Sequence, residues 1–277
     1  MILNLSNPPA SIIKAKIGKY PDGQQYVIID PQFTVGENGI TIYSRFNSFL
    51  DLELIVTATK ALQNLDVKKI NLYVPYILGA RSDRKFEYGG TSYLVQIIAP
   101  ILNSLGLTKV YCLDVHNQAV AEACINNLVC YDNSEFIKRV LGDIQSKNLV
   151  IVTPDDGASK KIYPLCKKLG LEVPVVVCAK HRDIKTGKIE GVDIPHGTHF
   201  KNEEVMLIDD ICDGGRTFIE IAKKLKTWGE PAKMYLAVTH GIFSAGFDEL
   251  HQYFDQIFST NSVKDHPNIS VTQYPVI

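Results

Sequence analysis

The chain has 277 residues, 45% of them hydrophobic and 21% charged, enough apolar material for one large core or two of ordinary size. A formal net charge of −1 gives no reason to expect nucleic acid, and no apolar run approaches the ~20 residues of a membrane span. With no basic, apolar leader at its start, and with Cys112, Cys124, Cys130, Cys166, Cys178 and Cys212 scattered without metal-ligand spacing, the sequence reads as a soluble, cytoplasmic protein of a reducing compartment.

Residues 1–30 read as short strands with a turn at 19–24, and 41–44 as another strand. Apolar residues return at helical spacing from 50 to 65, and 70–74 is a buried strand leading into Gly79-Ala80-Arg81-Ser82-Asp83-Arg84-Lys85. The stripe Tyr93, Leu94, Ile97, Ile98, Ile101, Leu102, Leu105 predicts a helix closed by Gly106. A strand at 109–113 ends at Asp114-Val115-His116, and 135–141 is helical. The first domain is placed at 1–147 and the second at 148–277.

The second half repeats the alternation. A strand at 149–152 runs into Pro154-Asp155-Asp156-Gly157-Ala158-Ser159-Lys160-Lys161 and a helix to Leu169, and the next strand is 173–178. Residues 180–202, rich in charge and turn formers, interrupt the pattern as a functional loop does. Strand 205–208, helix 218–228, strand 233–238 and weaker strands at 256–259 and 269–272 follow. Strands alternating with helices throughout predict an α/β protein of two domains, each a parallel sheet flanked by helices, with ligand loops at the carboxyl edges.

The most informative stretch is 205–217, VMLIDDICDGGRT. A buried strand delivers Asp209 and Asp210 to its carboxyl end; Gly214 and Gly215 admit an anion close to backbone N–H groups, and the next helix points its positive end there. Carboxylates cannot bind phosphate, so Asp209 and Asp210 suit sugar hydroxyls or Mg²⁺. A plain strand-to-helix connection is the simpler reading of the same pattern. Basic residues gather after strands, at Arg81, Arg84 and Lys85; Lys160 and Lys161; Lys180 and Arg182; and Arg216. Each cluster alone is a solvated surface, while four in corresponding positions suit a polyanionic small molecule.

The segment 205–217 resembles the signature of proteins that make or consume 5-phosphoribosyl 1-diphosphate (PRPP). Over most of its length the chain resembles the PRPP synthetases (ribose-phosphate diphosphokinases), whose fold is two phosphoribosyltransferase-like, Rossmann-like domains. The resemblance implies an ATP segment at Arg81, Ser82, Asp83 and Arg84, and a strand-end Asp-x-His at Asp114-Val115-His116. It implies a pyrophosphate loop at Asp155, Asp156, Gly157 and Ala158, and a mobile catalytic loop with Lys180 and Arg182. Tyr20 and Asp22, in Tyr20-Pro21-Asp22-Gly23-Gln24, match the turn that reaches the adenine site of a neighbouring subunit, which implies a homo-oligomer. It further implies Mg²⁺ held by His116 and Asp155, ribose hydroxyls held by Asp209 and Asp210, and a 5′-phosphate cradled by Asp213, Gly214, Gly215, Arg216 and Thr217. The substrates implied are ATP and a ribose 5-phosphate compound, with no nucleic acid and no membrane.

Three departures carry consequences. The family's Asp-Thr-x-Gly-Thr is Asp213-Gly214-Gly215-Arg216-Thr217 here, so a hydroxyl is lost and a guanidinium gained. Arg216 can pair with more than one phosphate, which leaves two acceptors open, ribose 5-phosphate and ADP-ribose. Ser82 and Gln24 replace the family's glutamine and glutamate in the adenine contacts, and the sequence ends without the family's terminal helices. Two other functions stand beside the diphosphokinase: a phosphoribosyltransferase consuming PRPP, which has no need of an ATP half, and a regulatory paralogue, which would have eroded Lys180 and Arg182.

Overall fold

The structure is a computed structural model that describes residues 1–33, 36, 38–85, 88–182, 189–194, 200–267 and 269–276, with only the backbone described for 180–182 and 189–192. The chain forms two compact units, residues 1–132 with 276–277, and residues 133–275. Among the described residues no helix is long and apolar enough to cross a membrane.

The first unit contains β1 (Ile2–Asn4), β2 (Ala15–Lys19), β3 (Gln25–Ile29), β4 (Ile40–Tyr43), α1 (Phe49–Asn64), β5 (Ile70–Tyr73), α2 (Ala99–Ser104), β6 (Lys109–Leu113), α3 (Gln118–Cys124) and β7 (Leu128–Tyr131). Its main sheet runs β1-β4-β5-β6-β7, all parallel, while β2 and β3 form an antiparallel hairpin. Ser48 starts α1 through a capping box with Asp51, and Leu52, Ile55, Ala58 and Leu62 bury its core face. The helix predicted at 93–105 is two pieces: Leu94–Ile98 form a wide turn closed by Ala99 N–H to Leu94 O, and α2 follows. Pro100 has no N–H to give, and the helical ladder widens just ahead of it. Helix α3 and strand β7 are additional to the elements predicted from the sequence.

The second unit contains α4 (Ser134–Ile144), β8 (Leu149–Thr153), α5 (Asp156–Leu169), β9 (Val175–Val177), β10 (Ala179–Arg182), β11 (Ile189–Asp193), β12 (Phe200–Lys201), β13 (Glu204–Cys212), α6 (Arg216–Trp228), β14 (Gly229–Glu230), β15 (Lys233–Gly241), β16 (Gln256–Thr260) and β17 (Thr272–Tyr274). The sheet order is β17-β16-β15-β13-β8-β9, again wholly parallel. The boundary expected after residue 147 lies after 132 instead. The cause is α4, whose Phe136, Ile137 and Val140 join the core of Leu149, Ile151 and Ile162 and so draw the helix into the second unit.

Alternation along β13 sorts its side chains between two cores. Val205 and Leu207 join Phe218, Ile221 and Leu225 of α6, while Met206 and Ile208 join Ile162 and Leu165 of α5. The strand expected to stop at 208 continues to Cys212, because β15 runs beside it as far as Gly241.

Candidate active site

In the first unit, β5 and β6 are parallel neighbours, so the segments leaving their carboxyl ends share one edge of the sheet. Gly79 holds φ +83°, and a Cβ there would lie 2.7 Å from the Tyr93 ring, so the turn requires glycine. Ser82 N–H donates to Gly79 O at 2.8 Å and Leu94 N–H to Ser82 O at 3.2 Å, which fixes the loop carrying Arg81, Ser82, Asp83 and Arg84. Arg81 and Arg84 are exposed, Ser82 and Asp83 half-buried. After β6, Asp114 turns at φ +43° with its N–H donating to Tyr131 O, Val115 is buried, and His116 faces solvent. Asn117 joins the two segments: its Oδ1 accepts from Val120 N–H to cap α3, and its Nδ2 donates to Asp83 Oδ2 at 2.5 Å. An asparagine just ahead of a short helix was the available signal for Asn117.

Tyr20 and Asp22 sit in the β2–β3 turn. Tyr20 N–H donates to Gln24 O and Gly23 N–H to Tyr20 O, and Asp22 Oδ1 accepts from Gln24 N–H at 3.1 Å. The turn is exposed, and Gln25 fastens its base to α1 through Glu53 at 2.9 and 3.0 Å.

In the second unit, β8 has β9 on one side and β13 on the other, so the loops leaving β8 and β13 diverge and open a crevice at their carboxyl ends. Asp155 caps α5, its Oδ1 accepting from Ala158 N–H at 2.9 Å, so one carboxylate oxygen of the expected metal ligand is committed to the helix. Asp156, Gly157 and Ala158 form the first turn of α5, with the Ala158 N–H taken by the Asp155 cap.

Asp209 and Asp210 are part of β13 rather than the loop after it, and lie beyond its last pairing with β8, Leu207 with Val152. Strand alternation turns Asp210 to the α5 side, where Lys161 Nζ meets its Oδ2 at 3.1 Å; Asp209 takes the α6 side, its Oδ1 accepting from Asp210 N–H at 2.9 Å. The sequence marked Lys161 as one basic residue among several, and its pairing with Asp210 across 49 residues had no local signal. Gly215, at φ +81° with Leu250 3.0 Å from where a Cβ would sit, turns the chain into α6, which begins at Arg216 rather than at 218. Arg216 is exposed, Thr217 half-buried, and Asp213 Oδ1 accepts from Ser244 Oγ at 2.6 Å.

Burial raises the pKa of Asp209 well above the usual carboxylate range, and the charges of Asp210 and Asp155 add to the rise. A carboxyl raised in this way is protonated in the folded chain where the unfolded chain has released the proton. Its contribution to stability therefore falls as the pH rises from the ordinary value of 3.8 through the raised one. Asp209→Asn is expected to flatten that fall and to raise Tm at neutral pH by about 2–4 °C, the effect of about 1 kcal/mol in a chain of this size. Thermal melts from acid to neutral pH check it, and an unaltered pH slope counts against it. Burial likewise pushes the Cys212 thiol up, which suits a small core residue and not a nucleophile.

Lys180 and Arg182 belong to β10, whose backbone pairs with β11 in an antiparallel ribbon inside the excursion at 180–202; their side chains lie outside the described residues. Among the described residues no three His, Cys, Asp or Glu side chains converge to hold a metal by themselves.

The phosphoribosyl transferase domain matches residues 126–272. A ribose-phosphate pyrophosphokinase of Mycoplasmopsis pulmonis is 27% identical over 254 residues, 89% of this chain and 76% of the relative. One from Pyrococcus furiosus is 27% identical over 267 residues, 92% of this chain and 88% of the relative. The phosphoribosylpyrophosphate synthetase structure from Mycobacterium smegmatis superposes with a TM-score of 0.79 at 18% identity, covering 100% of this chain and 94% of that one, a likeness of fold.

Proposed function

Because the chain belongs to the phosphoribosyl transferase domain family, and within it to the ribose-phosphate pyrophosphokinases, we propose that it transfers the β,γ-diphosphate of ATP to the anomeric C1 hydroxyl of a ribose 5-phosphate compound and releases AMP. The observation that carries the reading is coverage. The transferase domain accounts for residues 126–272, whereas relatives named ribose-phosphate pyrophosphokinase align over 89 and 92% of the chain, and so also over most of the first unit. A transferase that only consumes PRPP has no use for that unit.

In the proposed reaction the C1 hydroxyl oxygen bonds to the β-phosphorus in line, the bond to the α,β-bridging oxygen breaks, AMP keeps that oxygen, and the hydroxyl proton passes to solvent. Such chemistry needs placement and charge neutralisation and no covalent intermediate. Arg81 and Arg84 take the ATP phosphates or stack on adenine, with Ser82 and Asp83 shaping the loop. Tyr20 and Asp22, on their exposed turn, serve the adenine site of a second copy. Asp156 and Gly157 offer backbone N–H groups to the diphosphate at the head of α5, beside Ala158, whose N–H is taken by the Asp155 cap. Asp209 and Asp210 hold ribose hydroxyls; Gly214, Gly215, Arg216 and Thr217, in the loop that Asp213 opens, cradle the 5′-phosphate; Lys180 and Arg182 neutralise the transferring group.

Mg²⁺ takes one or two protein ligands, chiefly carboxylates, and completes its shell with phosphate oxygens and water. The Asp155 carboxylate, whose Oδ1 also caps α5, is a proposed ligand on the second unit, and His116 is a proposed ligand on the first. When bound, the ion offsets the charge of the diphosphate.

Arg216 is the proposed acceptor determinant. It heads α6 and is exposed, as a residue reaching a second phosphate must be, and this favours ADP-ribose as an acceptor beside ribose 5-phosphate. Purified protein with Mg²⁺ and ATP is expected to release AMP with at least one of the two, measured side by side; no AMP with either would refute the reading. Arg216→Gly is expected to shift the preference toward ribose 5-phosphate by about tenfold, one guanidinium–phosphate contact. Equal losses with both acceptors would remove Arg216 from that role.

A further inference from the structure

The segment that follows β15 is tied to the chain just ahead of the glycine turn. Ile242 and Phe243 donate their N–H groups to Cys212 O at 2.8 and 3.2 Å, and Ser244 N–H donates to Asp213 O at 3.1 Å. Phe243 adopts φ +47°, a backbone that a bulky residue takes only when its surroundings impose it. Those surroundings are present: the Phe243 ring is buried, packs on Phe247 at 4.7 Å and meets His266 edge-on at 5.1 Å, and His266 Nε2 is 3.0 Å from Gly241 O. The strained turn delivers one hydroxyl. Ser244 Oγ donates to Asp213 Oδ1 at 2.6 Å and lies 3.7 Å from where a Cβ on Gly214 would stand.

Asp213 poses an electrostatic problem. It adjoins a glycine turn and a helix N-terminus suited to an anion, yet it carries the same sign as the anion. A carboxylate left to rotate there would repel a phosphate and compete for the same N–H groups. We propose that Ser244 is a positioning residue for the sugar-phosphate acceptor: its hydroxyl holds the Asp213 carboxylate against the loop after β15, so that the turn at Gly214 and Gly215 presents only its donors. This rests on the proposed function above and adds an acceptor-specific role on a segment outside the signature.

The test compares Ser244→Ala, Ser244→Thr and Asp213→Asn, singly and with Ser244→Ala in the Asp213→Asn background. Readouts are KM for acceptor, KM for ATP and kcat, together with calorimetric binding of ribose 5-phosphate and of ADP-ribose. Ser244→Ala is expected to raise acceptor KM and Kd about tenfold, the effect of one hydrogen bond to a charged group, with KM for ATP and kcat within about twofold. Ser244→Thr keeps the hydroxyl and restores acceptor affinity. In the Asp213→Asn background no charge remains to be held, and Ser244→Ala changes acceptor Kd by less than about twofold. KM for ATP rising in step with acceptor KM, failure of threonine to restore, or an undiminished penalty in the Asp213→Asn background would each overturn the assignment. Wild-type protein that binds neither acceptor overturns the proposed function and this role together; a wild type that turns over an acceptor, with Ser244→Ala unaffected, overturns this role alone.

Discussion

Replacing Lys180 or Arg182 with alanine is expected to lower kcat for AMP formation by about a hundredfold or more, with the KM of either substrate changed far less. The charge to be neutralised develops on the diphosphate as it passes between oxygens, so a cation there acts mainly on the transition state. The backbone of both residues lies in β10, which pairs with β11 and shifts register between His181 and Arg182. Steady-state kinetics of Lys180→Ala and Arg182→Ala check the expectation. A rise in KM with kcat intact would make the pair a binding element instead.

Asp210→Asn is expected to reduce kcat/KM for the acceptor by about a hundredfold, the range for losing a charged hydrogen bond to a buried group, while leaving KM for ATP near its original value. Asp210 is 7% exposed and paired with Lys161, itself 36% exposed. Water can take up much of the interaction that Lys161 loses, so the melting temperature is expected to change little. A large fall in melting temperature, or equal losses toward both substrates, would mean that the pair holds the fold together and does not grip the sugar.

The α/β class, the two parallel sheets and the loops at their carboxyl edges were legible because strands buried on both faces read as unbroken apolar runs, as at residues 149–152 and in the first half of β13. Short elements were not. Helix α3 has seven residues and only Ala121 fully buried, too few turns to build a periodic pattern. The extent of β13 was missed because polar residues after an apolar run look like a loop, whereas pairing with β15 carries the strand through Asp209 and Asp210 to Cys212. That difference matters chemically, since strand alternation is what separates the two carboxylates. The partners Lys161, Asn117 and Ser244 lie 49, 34 and 31 residues from the acids they hold, and no local spacing announces such pairs. The domain boundary failed for a related reason: α4 is amphipathic wherever it docks, and only packing shows that its apolar face belongs to the second core.

The central claim is that a diphosphate moves as one unit to a sugar. Its most direct test supplies the protein with Mg²⁺ and ATP labelled at the β-phosphorus, together with ribose 5-phosphate or ADP-ribose, and follows the label. The expected result is label in a C1-diphosphorylated sugar product, with one unlabelled AMP formed for each. Label recovered in ADP, or label left in ATP while added PRPP is consumed, would contradict it.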